Sequence, residues 1–168
     1  MSIAGAPEEI HYDPVTDRLY QNIKTTNAVQ VIDPATHTVT ATWSTAPATG
    51  PHGLAVDGKA HRLFSAGHNG QLVAIDTRTG KVIGSANIEP GVDQIGIDPA
   101  LKRIYCACGS GAISVVGETA HGVALLGDVP VTPGTHTLAV DPKTHAVWIS
   151  YVDAQNSYIQ RYLVPSAR

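Results

Sequence analysis

Long apolar stretches, an excess of either charge and a set of paired cysteines are all missing from this sequence. The longest apolar runs are short and broken by glycine or polar residues, so no segment is long enough to span a bilayer. There are 11 Lys and Arg against 14 Asp and Glu, a net charge of -3, which gives no indication of a nucleic-acid partner. With 168 residues, 43% of them hydrophobic, the composition predicts one soluble globular domain with a sizeable core.

The cysteine content and the first residues say little about the compartment. Cys106 and Cys108, in "YCACGSG", are two positions apart and poorly placed to pair with each other, so no disulfide framework is expected. The opening "MSIAGAPEEI" lacks the basic region and the apolar core of a signal peptide. A cytoplasmic location is expected unless a leader has been removed.

Four copies of one pattern account for most of the chain. They are "PEEIHYDPVTDRLY" from Pro7, "PHGLAVDGKAHRLF" from Pro51, "GVDQIGIDPALKRIY" from Gly91 and "GTHTLAVDPKTHAVW" from Gly134. Their anchoring aspartates, Asp13, Asp57, Asp98 and Asp141, are spaced by 44, 41 and 43 residues. A repeat of just over 40 residues is typical of a β-propeller blade.

Each copy predicts short strands, because apolar residues alternate in short runs between Asp-Pro, Asp-Gly, Asn-Gly or Thr-Gly. We therefore predict an all-β fold and one propeller-type domain over residues 1–168. Its blades of four antiparallel strands lie at approximately 7–49, 50–90, 91–133 and 134–168, the last one incomplete. The aspartates are predicted at the turn after each first strand, where Asx-type hydrogen bonds are favoured. Arg18, Arg62 and Arg103 recur five positions later and predict a weak surface salt bridge to the aspartate.

Residues 18–43, "RLYQNIKTTNAVQVIDPATHTVTATW", carry a more specific pattern. Tyr20 and Asn22 precede a strand with Val29, Val31, Ile32 and Asp33. The segment resembles the repeat of the YVTN family of β-propellers, and the likeness extends over essentially the whole chain. It implies a propeller fold and a periplasmic or secreted location. It is nearly silent on activity, since propellers host binding proteins, lyases, lactonases and redox enzymes alike.

Four blades are fewer than relatives in that family usually carry. The fourth copy stops after its third strand at Arg168, and "MSIAG" supplies a short apolar stub where an outermost strand of a preceding blade would lie. Because a free blade edge invites pairing with another chain, we predict a homodimer. Two chains would join head to tail into an eight-bladed ring with a two-fold axis, each stub helping to seal the partner's last blade. A closed four-bladed monomer is the alternative.

One column of the aligned copies contains only residues that ligate metals or transfer protons. Five positions before the anchoring aspartates stand Glu8, His52, Asp93 and His136. Since the first strand of a propeller blade lines the central channel, these residues are predicted to form a ring near one channel mouth.

Three interpretations of that ring remain open. The residues could hydrogen-bond to each other and to water around a wet channel. They could bind zinc or another borderline divalent metal, as NHL-type propeller lyases do through channel histidines, provided the nitrogens come within about 2.1 Å of the ion. They could also form an acid–base site without metal, with a histidine and a neighbouring carboxylate.

The predicted function is a non-catalytic ligand-binding or interaction module whose small-molecule or peptide ligand sits at the channel mouth. The alternative is a metal-dependent lyase or hydrolase using the same four residues. The sequence contains no serine nucleophile elbow, zinc-protease helix, dinucleotide fingerprint or haem attachment motif. Cys106 and Cys108 are expected to pack between blades rather than bind a soft metal.

The remaining histidines are predicted to be structural. His68 and Asn69 fall in a hairpin turn, "GHNGQ", governed by backbone chemistry. Five others are predicted to be solvated turn or strand residues that share no column: His11, His37, His61, His121 and His145.

Overall fold

Four antiparallel sheets make up the computed structural model, which describes residues 1–164. We call them blades 1 to 4 in chain order. The strands are β1 (Pro7–Asp13), β2 (Arg18–Ile23), β3 (Ala28–Asp33), β4 (Thr38–Ser44), β5 (Pro51–Asp57), β6 (Arg62–Gly67), β7 (Gln71–Asp76), β8 (Lys81–Asn87), β9 (Val92–Asp98), β10 (Arg103–Cys108), β11 (Ala112–Thr119), β12 (Gly122–Pro130), β13 (Thr137–Asp141), β14 (Ala146–Val152) and β15 (Ser157–Leu163). A short 3-10 helix, Lys24–Thr26, follows β2.

This architecture confirms the all-β propeller-type fold, including the incomplete last blade. Blades 1, 2 and 3 each have four strands, whereas the described part of blade 4 has three, β13, β14 and β15. Residues 165–168 of the predicted fourth blade lie outside the described residues. Within residues 1–164 there is no helix with the length and apolarity needed to cross a membrane.

The first hairpin of every blade is closed by the anchoring aspartate. As predicted, each carboxylate accepts a backbone N–H two or three residues on: Val15 to Asp13 at 2.9 Å, Ala60 to Asp57 at 3.0 Å, Ala100 to Asp98 at 3.1 Å and Lys143 to Asp141 at 2.9 Å. The residue four positions after the aspartate then takes a left-handed conformation, with φ between 51° and 59°: Asp17, His61, Lys102 and His145. Polar residues such as Asp and His tolerate this region better than bulky apolar ones.

Two predictions about this turn are wrong. His61 and His145 do share a column, because both occupy the left-handed position of the hairpin. Arg18 does not pair with Asp13. Its guanidinium lies 3.5 Å from Asp33 on the next hairpin, and both side chains are partly exposed, so the pair contributes little to stability.

Adjacent blades bury three apolar cores between them, because alternate residues of each strand face opposite neighbours. Tyr20 of blade 1 packs with Leu54 and Leu63 of blade 2. Phe64 of blade 2 packs with Ile95 and Ile104 of blade 3. The third core joins blade 3 to blade 4: Tyr105, Ala107 and Ile113 against Val147 and Ile149.

The four blades form an open arc. The inner strands contact one another in the order β1, β5, β9, β13, and no comparable contact joins β13 back to β1 within residues 1–164. Ile10 in β1 is 48% exposed, whereas its counterpart Leu54 is fully buried against blade 1. Trp148 in β14 is 38% exposed, whereas its counterpart Phe64 is fully buried against blade 3. Each end of the arc therefore presents half of a blade-to-blade interface.

The stub ahead of β1 differs from its prediction. Residues 1–6 form no strand. The Lys24 N–H donates to the Ala6 carbonyl at 2.9 Å, as the His68 N–H donates to the Gly50 carbonyl at 3.0 Å. The Ala4 N–H donates to Oε1 of Gln30 in β3 at 3.3 Å. The stub thus takes the place of the connection between two blades, not of an outermost strand.

Candidate functional site

β-Bulges place three of the four predicted channel residues. In β1 the pairing with β2 slips between Pro7 and Ile10, which puts Glu8 in the bulge, and in β5 it slips between Pro51 and Leu54, around His52. In β9 the extra residue is Asp93, between the paired Val92 and Gln94. A bulge bends the strand and re-aims the side chain of the extra residue. His136 stands just before β13, so all four residues lie at the starts of inner strands.

His52 is the most constrained of these side chains. Its Nδ1 lies 2.7 Å from the Gly50 carbonyl oxygen, which can only accept, so Nδ1 carries the proton. Its Nε2 then accepts from the Lys24 ammonium at 2.9 Å. The Glu8 carboxylate lies 3.4 Å from the same ammonium and 3.6 Å from Nε2. Both ring nitrogens of His52 therefore have protein partners.

A second column of residues lines the same rim and was missed in the sequence. Lys24, His68 and Gly109 each follow a second strand, and each backbone N–H donates to the connection that precedes its own blade: to Ala6, Gly50 and Gly91. Each of these residues lies beside the channel residue of the following blade. All three stand 11 positions after their anchoring aspartate, so the aligned repeat did contain the signal.

Gly109 is the one member of this second column without a side chain. A Cβ at Gly109 would lie 3.1 Å from Cε1 of His136, tighter than ordinary contact, so the imidazole packs directly against this glycine. Both residues line an open depression of ≈ 390 Å³ whose lining also includes His52, His68 and Asp93. His68 meets His52 edge to face, with ring centroids 5.1 Å apart. The structure thus brings three of the four predicted residues to one depression and adds His68, while Glu8 contacts His52 from the side.

Side chains that cross from blade to blade hold the bulges in place. Glu9 Oε2 accepts from the Leu54 N–H at 2.7 Å, and Gln94 Oε1 accepts from the Leu138 N–H at 3.2 Å. The buried Asn22 amide donates to the carbonyls of His52 and Gly53, at 2.9 and 3.0 Å. These positioning residues had no signal in the sequence, because the repeats carry different side chains at each of these columns.

Metal ligation within one chain finds no support among residues 1–164, where no three His, Cys, Asp or Glu side chains are grouped as a metal site. Cys106 and Cys108 lie in the core between blades 2 and 3, which confirms that they pack rather than face solvent. Burial raises the pKa of both thiols, that of Cys108 to about 11, so neither is a thiolate at neutral pH.

The rim at the other end of the inner strands carries a separate contact between blades. The Asp98 carboxylate is fully buried and lies 2.6 Å from Nδ1 of His145 in blade 4. It also accepts the N–H groups of Ala100 and Leu101. Asp98 therefore closes its own hairpin and ties blade 3 to blade 4.

Comparison with known proteins supports the fold and leaves the family open. The chain matches no protein-family model and no curated protein sequence. Among solved structures it is similar to a chain of Kuenenia stuttgartiensis hydrazine synthase, with a TM-score of 0.82 and 17% identity over 92% of this chain and 45% of that chain. A chain of the mitotic checkpoint complex gives a TM-score of 0.79 and 15% identity over 95% and 49%.

A third similar structure is the WD40 β-propeller domain of Doa1, with a TM-score of 0.71 and 13% identity over 86% of this chain and 47% of that chain. At these identities the likeness shows a β-propeller fold. The chain spans about half the length of the structures that it matches.

Proposed function

We propose that this chain is a binding module whose ligand occupies the depression at the channel mouth. The observation that carries the proposal is the absence of a side chain at Gly109. In the two preceding blades the equivalent position projects Lys24 or His68 onto the rim, whereas here the imidazole of His136 lies against the glycine and lines the depression. The side chains of Asp93, His68 and His136 line the depression and make no hydrogen bond to another described side chain or backbone group, so their polar atoms can meet a ligand.

The electrostatics favour a small polar ligand. The depression offers imidazoles that can donate or accept and one carboxylate, Asp93, while the Lys24 ammonium and the Glu8 carboxylate already engage each other beside His52. No described side chain there is paired with a general base in the manner of an activated nucleophile. We therefore place binding ahead of the metal-dependent lyase or hydrolase.

A thermal-shift screen tests this site with defined probes: Zn²⁺, inorganic phosphate, short dicarboxylates and short amines. A probe present at 100 times its Kd stabilises a protein by about 2.7 kcal/mol, which for a chain of this size raises Tm by roughly 5 to 11 °C. We expect at least one probe to do so for the unmodified chain. Gly109→Val, whose side chain would displace the imidazole of His136, and His136→Ala should abolish the shift.

The matched control is His121→Ala, which removes an exposed histidine from the distant β11–β12 hairpin. It should respond like the unmodified chain. Equal shifts in all variants, or no shift with any probe, would remove the mouth as the binding site. A shift with Zn²⁺ alone that is lost in His136→Ala would favour the metal-dependent alternative.

We also propose that two copies complete an eight-bladed ring through the ends of the arc. The support is the match in side-chain type between the free ends and the internal interfaces. The face of blade 1 offers Ile10 and Tyr12, 48% and 51% exposed. The face of blade 4 offers Trp148, with Arg161 over its ring at 5.6 Å, and Ile159, 77% exposed. A two-fold axis makes both junctions identical and leaves no free end.

The repeat itself is proposed to be of the YVTN type. The proposal rests on Tyr20 and Asn22 with the strand ending at Asp33, and on the partial copy ending at Asp76. Tyr20 and Asn22 are both fully or almost fully buried and face blade 2, Tyr20 in the apolar core and Asn22 on the bulge of β5. Their presence in the repeat therefore has a packing reason.

A further inference from the structure

Between blades 1 and 2, the channel rim binds an ammonium group of the chain itself. The Nζ atom of Lys24 lies 2.9 Å from Nε2 of His52 and 3.4 Å from the carboxylate of Glu8. The carboxylate comes from the channel position of one blade and the imidazole from the channel position of the next. One ammonium thus joins two blades by donating to a carboxylate and to an imidazole.

The contact between blades 3 and 4 repeats these residue types without the ammonium. In the aligned repeats Asp93 takes the position of Glu8, His136 that of His52, and Gly109 that of Lys24. The side chains of Asp93 and His136 line one depression and make no hydrogen bond within residues 1–164. The described chain therefore supplies both kinds of acceptor here but no cation between them.

The packing around Gly109 keeps a side chain of the chain itself from supplying that cation. A Cβ on this glycine would lie 3.1 Å from Cε1 and 3.4 Å from Nδ1 of His136, and 3.3 Å from the carbonyl oxygen of Gly91. A lysine at this position would therefore have to displace the imidazole that it is meant to meet. A cation from solution can instead approach Asp93 and His136 through the open depression.

The charge at this end of the strands favours a cation as well. Among residues 1–164, six acidic residues lie near the end that carries the depression, against one basic residue, Lys24. The acidic residues are Glu8, Glu9, Glu89, Asp93, Asp128 and Asp153. At the opposite end the hairpins carry both signs, as in Asp57 and Arg62. A negative rim attracts cations and raises their local concentration.

We propose that the depression binds the primary ammonium group of a small organic amine between Asp93 and His136, in the way that Lys24 bridges blades 1 and 2. The inference rests on the proposed binding site and adds the class of its ligand. A primary ammonium has three N–H donors. Two can be accepted by the carboxylate and the imidazole, and His68, which lines the same depression, offers a ring nitrogen for the third.

Calorimetric titration of the intact chain with n-butylamine tests the proposal, because this amine ends in the same group as the four-carbon side chain of lysine. Two further probes separate hydrogen bonding from charge. Butyltrimethylammonium keeps the positive charge without an N–H donor, and butyrate reverses the charge. Saturable binding is expected for n-butylamine, about tenfold tighter than for the quaternary amine, and none is expected for butyrate.

Three chain variants locate the binding. Asp93→Asn removes the carboxylate charge and His136→Ala removes the imidazole, and each should weaken the binding of n-butylamine about tenfold. The matched control is Glu89→Gln, which removes one negative charge from an exposed residue at the same end that does not line the depression. It should leave the Kd unchanged. Circular dichroism and the urea midpoint confirm that the variants fold.

The ammonium site and the proposed binding module can fail separately. If butyrate or inorganic phosphate binds in place of n-butylamine, and His136→Ala abolishes that binding, the depression is the binding site and the ligand class is wrong. Equal affinity for n-butylamine and the quaternary amine would also overturn the proposal, since charge alone would then explain binding. Binding of n-butylamine that is the same in all variants would place the amine outside the depression and overturn the proposal too.

Discussion

The polar side chains at the channel rim have two different roles. His52 is held by Gly50 and Lys24 and is committed to the structure, whereas His68, Asp93 and His136 face open space. The same residue type therefore serves as a scaffold in one place and as a candidate ligand contact in another. Burial separates the cases, because His52 is 8% exposed and the other three are all exposed.

Glu9 provides the clearest test of the contacts that hold this rim. Its carboxylate accepts the N–H of Leu54, a residue with no exposed surface. Glu9→Ala leaves that buried N–H without an acceptor and should lower the free energy of unfolding by about 1–3 kcal/mol. Glu9→Gln keeps an acceptor oxygen and should cost much less. Urea unfolding of the two variants measures the difference, and equal losses would mean that the hydrogen bond is unimportant.

Alignment of the repeats predicted the residue column but not its surroundings. Glu8, His52, Asp93 and His136 stand out because the column has a uniform chemistry. Lys24, His68 and Gly109 occupy an equally regular column whose members differ in charge, size and shape, so residue type alone did not mark it. Glu9 and Gln94 act through contacts with the following blade, and these depend on how closely the blades approach.

At the scale of the strands, turn chemistry decides where each hairpin closes. In all four blades the anchoring aspartate accepts a backbone N–H in the turn between the first and the second strand. The hairpin after the third strand uses Asp33 in blade 1 and Asp76 in blade 2. Blade 3 has Gly117 at that position, and its strands continue to a later turn, with Thr119 paired to Gly122. The sequence predicted the strands and the turns, since both follow from alternation and from Asp, Gly and Pro.

The β-bulges could not be predicted in this way. All four copies have the same number of residues between the channel position and the aspartate, so the extra residue leaves no irregularity in the alignment. Neighbouring blades also approach each other closely at the bulge of β5, which the repeat pattern does not show. A Cβ on Gly53, for example, would lie 3.0 Å from the backbone nitrogen of Ile95 in the next blade.

Asp76 should make the stability of blade 2 depend on acid. The side-chain hydrogen bonds from Arg78 hold the pKa of this carboxyl well below its usual value of 3.8. The folded state therefore binds the proton less tightly than the unfolded state, and the stabilisation is present above the unfolded pKa and is lost as the pH falls below it. Asp76→Asn should be less stable than the unmodified chain at pH 7. The difference between their free energies of unfolding should shrink as the pH falls from about 4 to about 2.

Urea midpoints across that pH range measure the effect of Asp76. Arg78→Ala removes the group that lowers the pKa of Asp76. The difference in stability between this variant and the unmodified chain should therefore also shrink as the pH falls over the same range. Because the Arg78 side chain is 63% exposed, the effect is modest and weakens in high salt. If the difference in stability between Asp76→Asn and the unmodified chain does not change with pH, the ion pair is not its cause.

At the scale of the whole molecule, the arc is open at two places of different kinds. Ile10 and Trp148 are exposed on the faces of blades 1 and 4, whereas their counterparts Leu54 and Phe64 are fully buried. Within residues 1–164, β15 pairs on one side only, whereas the third strands of the other blades pair on both. The repeat count predicted the incomplete fourth blade. The residues ahead of β1 could not be predicted to form a connection, because their position is set by contacts with Lys24 and Gln30.

The mass of the assembly in solution tests the central claim, that the ends of the arc bind each other in a second copy. Light scattering coupled to size exclusion should give the mass of two chains, and Trp148→Arg or Ile10→Arg, which charge one end, should reduce it to one. Leu126→Arg charges an exposed residue of the outer strand β12 and should leave two chains. A mass of one chain for the unmodified protein over the whole concentration range would contradict the ring.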